Sequence, residues 1–373
     1  MKVLIVGGGI AGCATAALLR KYKIAEVTLV EKAPEFTNIG YLIGLWNTGR
    51  KVLRELGIDE QIAAEGYEPE LDTVFDKDGR LLKMVPGKEF KVLGPPIIIK
   101  RADLHRGLFE LLHDVDIRFS TICTSIEQKG NAVELEFNGQ KRESFDLVIG
   151  ADGIHSSVRD MVFGPDFIHH YGWRVWMWWA PAGTHAKSVT SYYGSGKICA
   201  TLPSADSSMA TFFAKVPPGR GNNANEDQKL KELFKDFCED AQHIADTVPS
   251  PEQIYQDDIA YVKMPVWHKG NVVLMGDAQH AVSPVTGMGA SMAMEDALVL
   301  VEELRRTSDI QAALVNFVRR REKRIHQFRT MVDRMDRWTM ADGILGYLRN
   351  KAIPLLPIRY FIQMMRRFVE AEI

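Results

Sequence analysis

The spacing of hydrophobic positions changes twice within the first thirty or so residues. An apolar run over residues 2–6 is typical of a buried strand, helical spacing over 11–22 predicts a helix, and 26–30 returns to a strand pattern. Gly7, Gly9 and Gly12 stand between the first strand and the helix in the spacing G-x-G-x-x-G. This order predicts a βαβ unit that binds a dinucleotide.

Each part of this unit has a physical task. Glycines permit the tight turn, the approach of backbone to a pyrophosphate and close packing of helix on strand, and the helix start offers free N–H groups to phosphates. Glu31 follows about 20 residues after the last glycine, where a carboxylate accepts hydrogen bonds from an adenosine ribose and disfavours a 2′-phosphate. Ala11 and Lys32 complete the predicted cofactor-binding residues of this unit. The alternative is a glycine-rich turn without a ligand.

The pattern beyond this unit mixes both periods. Strands are expected at 97–99, 145–150, 259–264 and 271–275, a hairpin at 71–75 and 80–85, and repeated short strands over 173–216. Helices are expected at 48–56, 102–112, 227–238, 290–304 and 311–335, followed by a basic amphipathic tail over 338–373.

These elements predict an α/β (α+β) fold. It comprises a Rossmann-like nucleotide-binding domain, an inserted antiparallel β-sheet domain and C-terminal helices. We assign residues 1–70, 97–170 and 263–335 to a discontinuous nucleotide-binding domain, 71–96 and 171–262 to a substrate domain, and 336–373 to a helical segment.

Composition narrows the class of protein. The chain has 373 residues, with 46 basic and 48 acidic side chains, so its net charge of −2 gives no basic field for nucleic acid. The four cysteines show no C-x-x-C spacing, which argues against a zinc site or a disulfide framework. No signal-peptide pattern and no apolar run of membrane-spanning length is present, so a cytoplasmic location is expected.

Three separated stretches carry a more specific signal: GGGIAG at 7–12, GADGIHSSVR at 150–159 and LMGDAQHAVSPVTGMGASMAMEDA at 274–297. In this order they resemble the fingerprints of the FAD-dependent aromatic hydroxylases, the single-component flavoprotein monooxygenases related to para-hydroxybenzoate hydroxylase. The resemblance covers roughly residues 1–335 and implies that FAD is the cofactor.

The resemblance also implies contacts for particular residues. Asp152 would serve both FAD and the nicotinamide cofactor, Asp277 would accept a hydrogen bond from the ribityl chain, Arg101 would lie near the phosphates and the flavin edge, and Cys123 would contact adenine through its backbone. Each of these residues also has a structural interpretation that involves no ligand: a helix cap for either aspartate, a surface ion pair for Arg101 and simple packing for Cys123.

The loop at 284–289 enters the helix that starts near Ala290. A helix N-terminus aimed at the flavin would stabilise the negative charge that develops on reduced flavin. Pro284, Gly287, Met288 and Gly289 are therefore the flavin-proximal candidates, with Gly289 and Ala290 also in the cofactor set. The family commonly has alanine and glutamine where this chain has Gln279 and Met288, so no side-chain role is assigned there.

Aromatic residues are concentrated in the middle of the chain. Alternate residues of a strand share a face, so Trp176 and Trp178 point the same way and Trp179 the other. Trp176 and Trp178, together with Tyr192 and Phe212, form the predicted site for a planar hydrophobic substrate. The alternative is that these rings are core between the sheet and its neighbours. His280 either orients a substrate or is a packed, hydrogen-bonded residue.

As an activity, the resemblance implies that NADH or NADPH reduces FAD and that O₂ adds at the flavin C4a carbon. The resulting hydroperoxide would give one oxygen atom to an aromatic or polycyclic molecule. Alternatives are a flavin-dependent reductase of isoprenoid lipids resembling the geranylgeranyl reductases, a flavin-dependent halogenase, and a non-catalytic nucleotide-binding protein. The basic tail would pack as a lid, pair with another subunit or contact a membrane surface.

Overall fold

The computed structural model describes residues 1–36, 40–94, 96–139, 141–180, 188–204, 207–217 and 226–369. The strands are β1 Lys2–Val6, β2 Glu26–Val30, β3 Leu42–Leu45, β4 Leu71–Asp76, β5 Leu81–Pro86, β6 Ile97–Lys100, β7 Asp116–Arg118, β8 Cys123–Lys129, β9 Ala132–Phe137, β10 Lys141–Phe145, β11 Leu147–Gly150, β12 Ile168–Ala180, β13 Ser188–Tyr193, β14 Lys197–Pro203, β15 Ser208–Lys215, β16 Tyr255–Val262, β17 His268–Lys269 and β18 Val272–Leu274. The helices are α1 Ile10–Tyr22, α2 Asn47–Leu56, α3 Asp59–Glu65, α4 Arg101–Glu110, α5 Ser157–Phe163, α6 Glu226–Phe234, α7 Glu239–Asp246, α8 Asp277–His280, α9 Gly289–Arg306, α10 Ile310–Thr339, α11 Gly343–Ala352 and α12 Ile358–Val369. Turns of 3-10 helix lie at Gly87–Leu93, Pro251–Gln253, Pro284–Thr286 and Ile353–Leu355.

A six-stranded sheet in the order β17-β18-β11-β1-β2-β7 carries the glycine turn, and its strands pair in parallel except β17 with β18. Successive residues of β1 face two different cores. Val3 and Ile5 pack with α1 and α9, whereas Leu4 and Val6 pack toward the three-stranded sheet β10-β9-β8. Both faces are covered, which is why this strand is an unbroken apolar run.

A seven-stranded sheet in the order β16-β12-β15-β14-β13-β4-β5 forms the second layer. Its pairs are antiparallel except β13 with β4, which run in parallel. Helices α6 and α7 cover one face of it. The predicted fold class is confirmed: a Rossmann-like nucleotide-binding fold with an inserted, mainly antiparallel sheet and C-terminal helices. The residue boundaries of the domains stay a prediction.

Several elements differ from their predicted bounds for local reasons. The apolar run at 145–150 is divided at Asp146 into β10 and β11, and the Asp146 carboxylate accepts a hydrogen bond from the Lys2 backbone N–H. The predicted helix at 227–238 is α6 and ends early, at Phe234. A separate helix, α7, begins at Glu239, after Cys238 adopts an extended conformation as its N-cap. The remaining predicted helices begin and end within a few residues of their expected positions.

The C-terminal helices behave differently from one another. Helix α12 packs against the turn at Gly87–Leu93, where Phe361 meets Phe90 edge to face with ring centroids 6.3 Å apart. Helix α11 leaves Ile344 78% and Leu345 67% exposed. Among the helices of the described ranges, none has the length and apolar character needed to cross a bilayer.

Candidate active site

A cleft of about 1790 Å³ lies between the carboxyl ends of the parallel strands and the face of the seven-stranded sheet opposite α6 and α7. Residues that follow β1, β2, β11 and β18 form one wall: Gly7, Glu31, Asp152 and Asp277. This is the edge at which open α/β sheets bind ligands.

The glycine turn is shaped for close approach of a ligand. Gly7 has φ of +105°, which favours glycine, whereas a Cβ on Gly9 would have no heavy atom within 4 Å. Helix α1 starts directly after Gly9 with no side-chain cap and no acidic residue in its first turn, so its N–H groups are available to an anion. Gly12 does not line the cleft; a Cβ there would lie 2.0 Å from the Gly7 carbonyl oxygen. Its role is packing of helix on turn.

Glu31 is held by the backbone at the end of β2. Its Oε2 accepts from the Gly8 N–H at 2.8 Å and its Oε1 from the Ala33 N–H at 2.9 Å. The carboxylate therefore has a fixed position on the cleft wall and retains lone pairs for ribose hydroxyls. Lys32 follows as an exposed side chain on the cleft rim.

Two residues that sequence reasoning missed support the turn from below. His105 Nε2 lies 2.6 Å from the Gly8 carbonyl oxygen, and Phe36 packs edge to face on His105 with centroids 4.4 Å apart. Both line the cleft. Desolvation lowers the pKa of His105, which favours the neutral ring. Apolar spacing in α4 placed Leu104 and Leu108 but gave no sign that His105 between them reaches the glycine turn.

The two aspartates differ in what holds them. Asp152 accepts from the Ser156 hydroxyl at 2.5 Å and from the Ser157 and Val158 N–H groups at 2.7 and 3.2 Å, so it supports the start of α5, whose N-cap is Ser156, while lining the cleft. Asp277 is the first residue of α8, whose N-cap Gly276 makes no side-chain bond, so the capping alternative for Asp277 is wrong.

The Asp277 carboxylate faces the cleft. It makes no hydrogen bond or ion pair with any residue in the part of the chain that the structure describes. Desolvation by the surrounding protein raises its pKa, and the positive charge of Arg101 opposes that shift. Arg101 also lines the cleft, at the first position of α4, and within the described ranges it has no ion-pair partner, so the surface ion-pair alternative is not observed.

Cys123 is packed in the core, as the alternative for it predicted, and its contact with adenine stays a prediction. Its side chain is 4% exposed in the core beside Val30 and Phe137, while the residue also lines the cleft. Burial raises the pKa of its thiol to about 12, so the sulfur is not a nucleophile.

Hydrogen bonds from Trp46 hold the loop before α9 in place. Trp46, which sequence reasoning missed, donates its indole N–H to the Thr286 carbonyl oxygen at 3.2 Å and its backbone N–H to Ser291 Oγ at 3.1 Å. Gly287 turns the chain with φ of +60°. Pro284, Gly287, Gly289 and Ala290 line the cleft, and the first turn of α9 has no acidic residue and no side-chain cap. Met288 is fully buried in the core and does not line the cleft.

The predicted substrate residues lie on the wrong face of the sheet. Trp176, Trp178, Tyr192 and Phe212 pack with α6 and α7, and Trp178 stacks on Phe212 with centroids 5.0 Å apart. Their placement as core, the alternative interpretation, is what the structure has. The cleft wall is built by the neighbouring positions of the same strands, Trp173, Val175, Met177, Ser191, Tyr193 and Phe213.

His280 is likewise a structural residue. It is 3% exposed, and its Nε2 lies 2.6 Å from Asp296 Oδ2. Asp296 also accepts the Gly276 N–H at 2.9 Å and Arg321 Nε at 2.8 Å. The packed alternative is therefore correct, and the buried cluster fixes the backbone just before Asp277.

These features fit FAD. The open backbone at Gly9, the uncapped start of α1 and the backbone-anchored Glu31 suit a pyrophosphate and a ribose. Asp277, with lone pairs directed into the cleft, suits the hydroxyls of a ribityl chain, and the uncapped start of α9 suits the electron-rich end of a flavin.

Comparison with known proteins agrees with this geometry. The family model described as an FAD binding domain matches residues 1–328. The chain belongs to this family.

Individual members of the FAD-binding family cover most of the chain. A flavin-dependent monooxygenase of Legionella longbeachae is 29% identical over 82% of this chain and 80% of its own length. The 3-amino-4-hydroxybenzoate 2-monooxygenase of Streptomyces cremeus is 30% identical over 81% of this chain and 78% of its own. The fold matches Klebsiella pneumoniae HpxO, solved with FAD and uric acid, with a TM-score of 0.91, 23% identity and coverage of 99% and 97%. This member of the family is an FAD-dependent monooxygenase.

Proposed function

We propose that this monooxygenase uses NADH or NADPH and O₂ to insert one oxygen atom into a planar, largely apolar aromatic molecule. The observation that carries the proposal is the apolar cleft wall opposite the flavin-binding loops. Met177 and Phe213 are partly exposed there and pack with the buried Trp173 and Val175. Aromatic rings bury large area against such a surface in preferred edge and stacked geometries.

The chain's own residues divide the work of holding FAD. The turn at Gly9 and the start of α1 would receive the pyrophosphate, Glu31 the adenosine ribose and Asp277 the ribityl chain. When bound, FAD supplies the redox chemistry: it accepts electrons from the nicotinamide cofactor and activates O₂. The site residues Gly7, Gly12, Arg101, Cys123, Asp152 and Ala290 stay assigned as in the sequence analysis, with Gly12 acting through packing.

The start of α9 would stabilise the transition state electrostatically. Free N–H groups at Gly289 and Ala290, together with the positive end of the helix dipole, favour negative charge at the pyrimidine end of a flavin. Trp46 and the 3-10 turn at Pro284–Thr286 hold these groups in place before reaction. Preorganised donors cost no reorganisation at the moment of reaction.

The apolar wall would exclude water from the reacting atoms. Trp173 is 2% exposed and donates its indole N–H to Asp336 at 3.1 Å, which fixes its ring, and Phe213 meets it edge to face at 5.4 Å. A rigid, dry wall orients a planar substrate and suppresses side reactions of activated oxygen.

The activity of one relative supports an aromatic substrate. The Streptomyces cremeus relative acts on 3-amino-4-hydroxybenzoate. The reductase, halogenase and non-catalytic alternatives are not favoured by the relatives, which are monooxygenases. Cytoplasmic location and contact of the tail with a membrane surface stay predictions.

Product analysis tests the proposal. Purified holoenzyme is incubated with NADH or NADPH, isotopically labelled O₂ and a panel of phenolic, polycyclic and isoprenoid compounds, followed by mass spectrometry. We expect a product heavier by one labelled oxygen atom, and none with an Asp277→Ala variant that fails to retain FAD. A product heavier by two hydrogen atoms, formed without O₂, would favour the isoprenoid reductase instead.

A further inference from the structure

Asp72 is an acidic residue in the substrate-facing wall of the cleft. It lies on β4, whose register pairs it with Val189 of β13. Alternate residues of a strand share a face, and Phe75 of β4 stacks on Tyr192 at 5.3 Å on the side of α6 and α7. Asp72 and Val74 therefore face the cleft, and both line it.

Nothing in the surrounding protein compensates the charge of Asp72. In the described ranges its carboxylate makes no hydrogen bond and no ion pair. Burial alone raises its pKa to about 6, with no cation contributing to the shift. The side chain remains partly accessible from the cleft. An unpaired carboxylate at such a position is costly to the folded state and is typical of sites that meet a ligand.

Three other carboxylates along the same cleft are already engaged. Asp152 supports the start of α5, and Asp258 accepts from Arg174 Nε at 2.7 Å. Asp257 accepts from the Tyr255 hydroxyl at 3.2 Å. Asp72 thus differs from these three in having its acceptor capacity free. Asp277 shares this property on the flavin-binding wall, whereas Asp72 lies on the substrate-facing wall, whose neighbouring cleft-facing positions, Val74 and Val189, are apolar.

We propose that Asp72 is a specificity-determining residue that accepts a hydrogen bond from an N–H or O–H group of the aromatic substrate and rejects substrates that carry a carboxylate at that end. The proposal rests on the proposed function and names its substrate class. A charge-assisted hydrogen bond favours a donor, whereas two carboxylates in one poorly solvated site disfavour each other. One side chain would thus attract substrates with a hydrogen-bond donor and repel substrates with a carboxylate.

The test uses three probes of the same ring size with the FAD-loaded enzyme: 2-naphthol, 2-methoxynaphthalene and 2-naphthoate. Binding is followed by the change in flavin absorbance, which needs no turnover. We expect the wild type to bind the naphthol roughly 10- to 100-fold more tightly than the methyl ether, the range of a hydrogen bond to a charged group, and to bind the naphthoate most weakly.

Asp72→Asn should lose most of this discrimination and bind the naphthoate at least about 10-fold more tightly than the wild type, since one unit charge at a few ångströms is worth this much at the dielectric of a protein surface. Asp72→Glu keeps the charge and should still reject the naphthoate. Asp78→Asn is the matched control: it makes the same charge change in the same hairpin, but its side chain is 69% exposed.

Equal affinities of wild type and Asp72→Asn for all three probes, with FAD retained, would overturn the proposal. Because binding is measured without reaction, the outcome is separate from that of the oxygenase assay. If the wild type discriminates among the probes, Asp72→Asn does not, and no oxygen is inserted, the proposed function is contradicted while the role of Asp72 is supported.

Discussion

At the scale of single residues, substitutions of Asp277 and Asp152 should affect different properties, FAD affinity for the first and stability for the second. Asp277→Asn removes an unpartnered carboxylate that is exposed to the cleft, so we expect the apoprotein to be no less stable and FAD to bind roughly 10- to 100-fold more weakly. Asp152→Ala removes the carboxylate that accepts from the first N–H groups of α5, so the apoprotein should lose about 1 kcal/mol of unfolding free energy. Chemical denaturation of apoprotein and FAD titration measure the two quantities.

The same two measurements can contradict these assignments. If Asp277→Asn retains wild-type affinity for FAD, its assignment to the ribityl chain is wrong. If Asp152→Ala leaves the apoprotein unchanged, the four hydrogen bonds that the Asp152 carboxylate accepts from Ser156, Ser157 and Val158 contribute nothing net.

The raised pKa of Asp72 predicts that its effect on stability depends on pH. Its pKa is raised from 3.8 to about 6, so the folded state holds the proton more tightly than the unfolded chain does. The penalty is absent below the unfolded pKa, grows as pH rises between the two values and is complete above about 6. Asp72→Asn should therefore stabilise the apoprotein by about 1 to 3 kcal/mol at pH 7 and by almost nothing at pH 3.5.

Denaturation of wild type and Asp72→Asn across this pH range measures the difference. Tyr193 is the ionisable neighbour that senses Asp72, and burial together with that charge raises the pKa of Tyr193 to about 12, so it does not titrate in the same window. A pH-independent difference between the two proteins would show that Asp72 is solvated like an ordinary surface carboxylate.

At the scale of elements, α9 and α10 are joined by a buried charge cluster. Arg321 donates to Glu295 at 2.6 Å and to Asp296 at 2.8 Å, and all three side chains are at most 1% exposed. Burial alone would raise the pKa of Asp296, but the charges of His280 and Arg321 lower it to about 2. The cluster is fully ionised at neutral pH, so its members depend on one another.

Arg321→Met should destabilise the protein by about 3 to 5 kcal/mol, because two carboxylates lose their shared partner in the interior. Arg319→Met, on an exposed part of the same helix, is the control and should change stability by less than about 0.5 kcal/mol. Thermal unfolding compares the two. Equal effects would mean that the buried cluster relaxes by admitting water or protons.

The elements also show where sequence reasoning succeeds. The glycine turn, Glu31 and the end of β18 were predictable because strand, turn and helix have different hydrophobic periods and because glycine positions are set by sterics, as at Gly12. The resemblance assigned Gly7, Asp152 and Asp277 to one cofactor, and the structure brings them together on the cleft because the ends of parallel strands meet at one edge of the sheet.

The substrate wall was not predictable in the same way. Trp176 and Trp178 face α6 and α7 while Trp173, Val175 and Met177 face the cleft, so both faces of β12 are apolar and alternation does not show which side is which. A register shift between His170 and Arg174 further breaks the count along the strand. A one-residue error in facing exchanges the whole wall for the core.

At the scale of the whole molecule, the C-terminal helix α12 forms part of the cleft lining and is anchored to the elements that carry Asp277. Phe361 and Met365 of α12 line the cleft, and Arg324 donates to the Phe368 carbonyl oxygen at 3.0 Å and to Glu295 at 2.7 Å. Glu295 belongs to the charge cluster that positions Gly276, next to Asp277. The helix is thus anchored at the end that approaches the flavin motif.

This arrangement predicts that α12 closes the cleft against water. Phe361→Ala removes the ring that meets Phe90, so we expect KM for an aromatic substrate to rise about 5- to 50-fold from lost apolar contact, with FAD affinity unchanged. We also expect more NAD(P)H to be consumed per product formed, because water reaches the site. The matched control is Tyr360→Ala, which removes an adjacent ring that is 66% exposed. If both substitutions raise KM equally, α12 acts through its overall stability, whereas an effect confined to Phe361 means that the cleft-facing side of the helix is part of the substrate site.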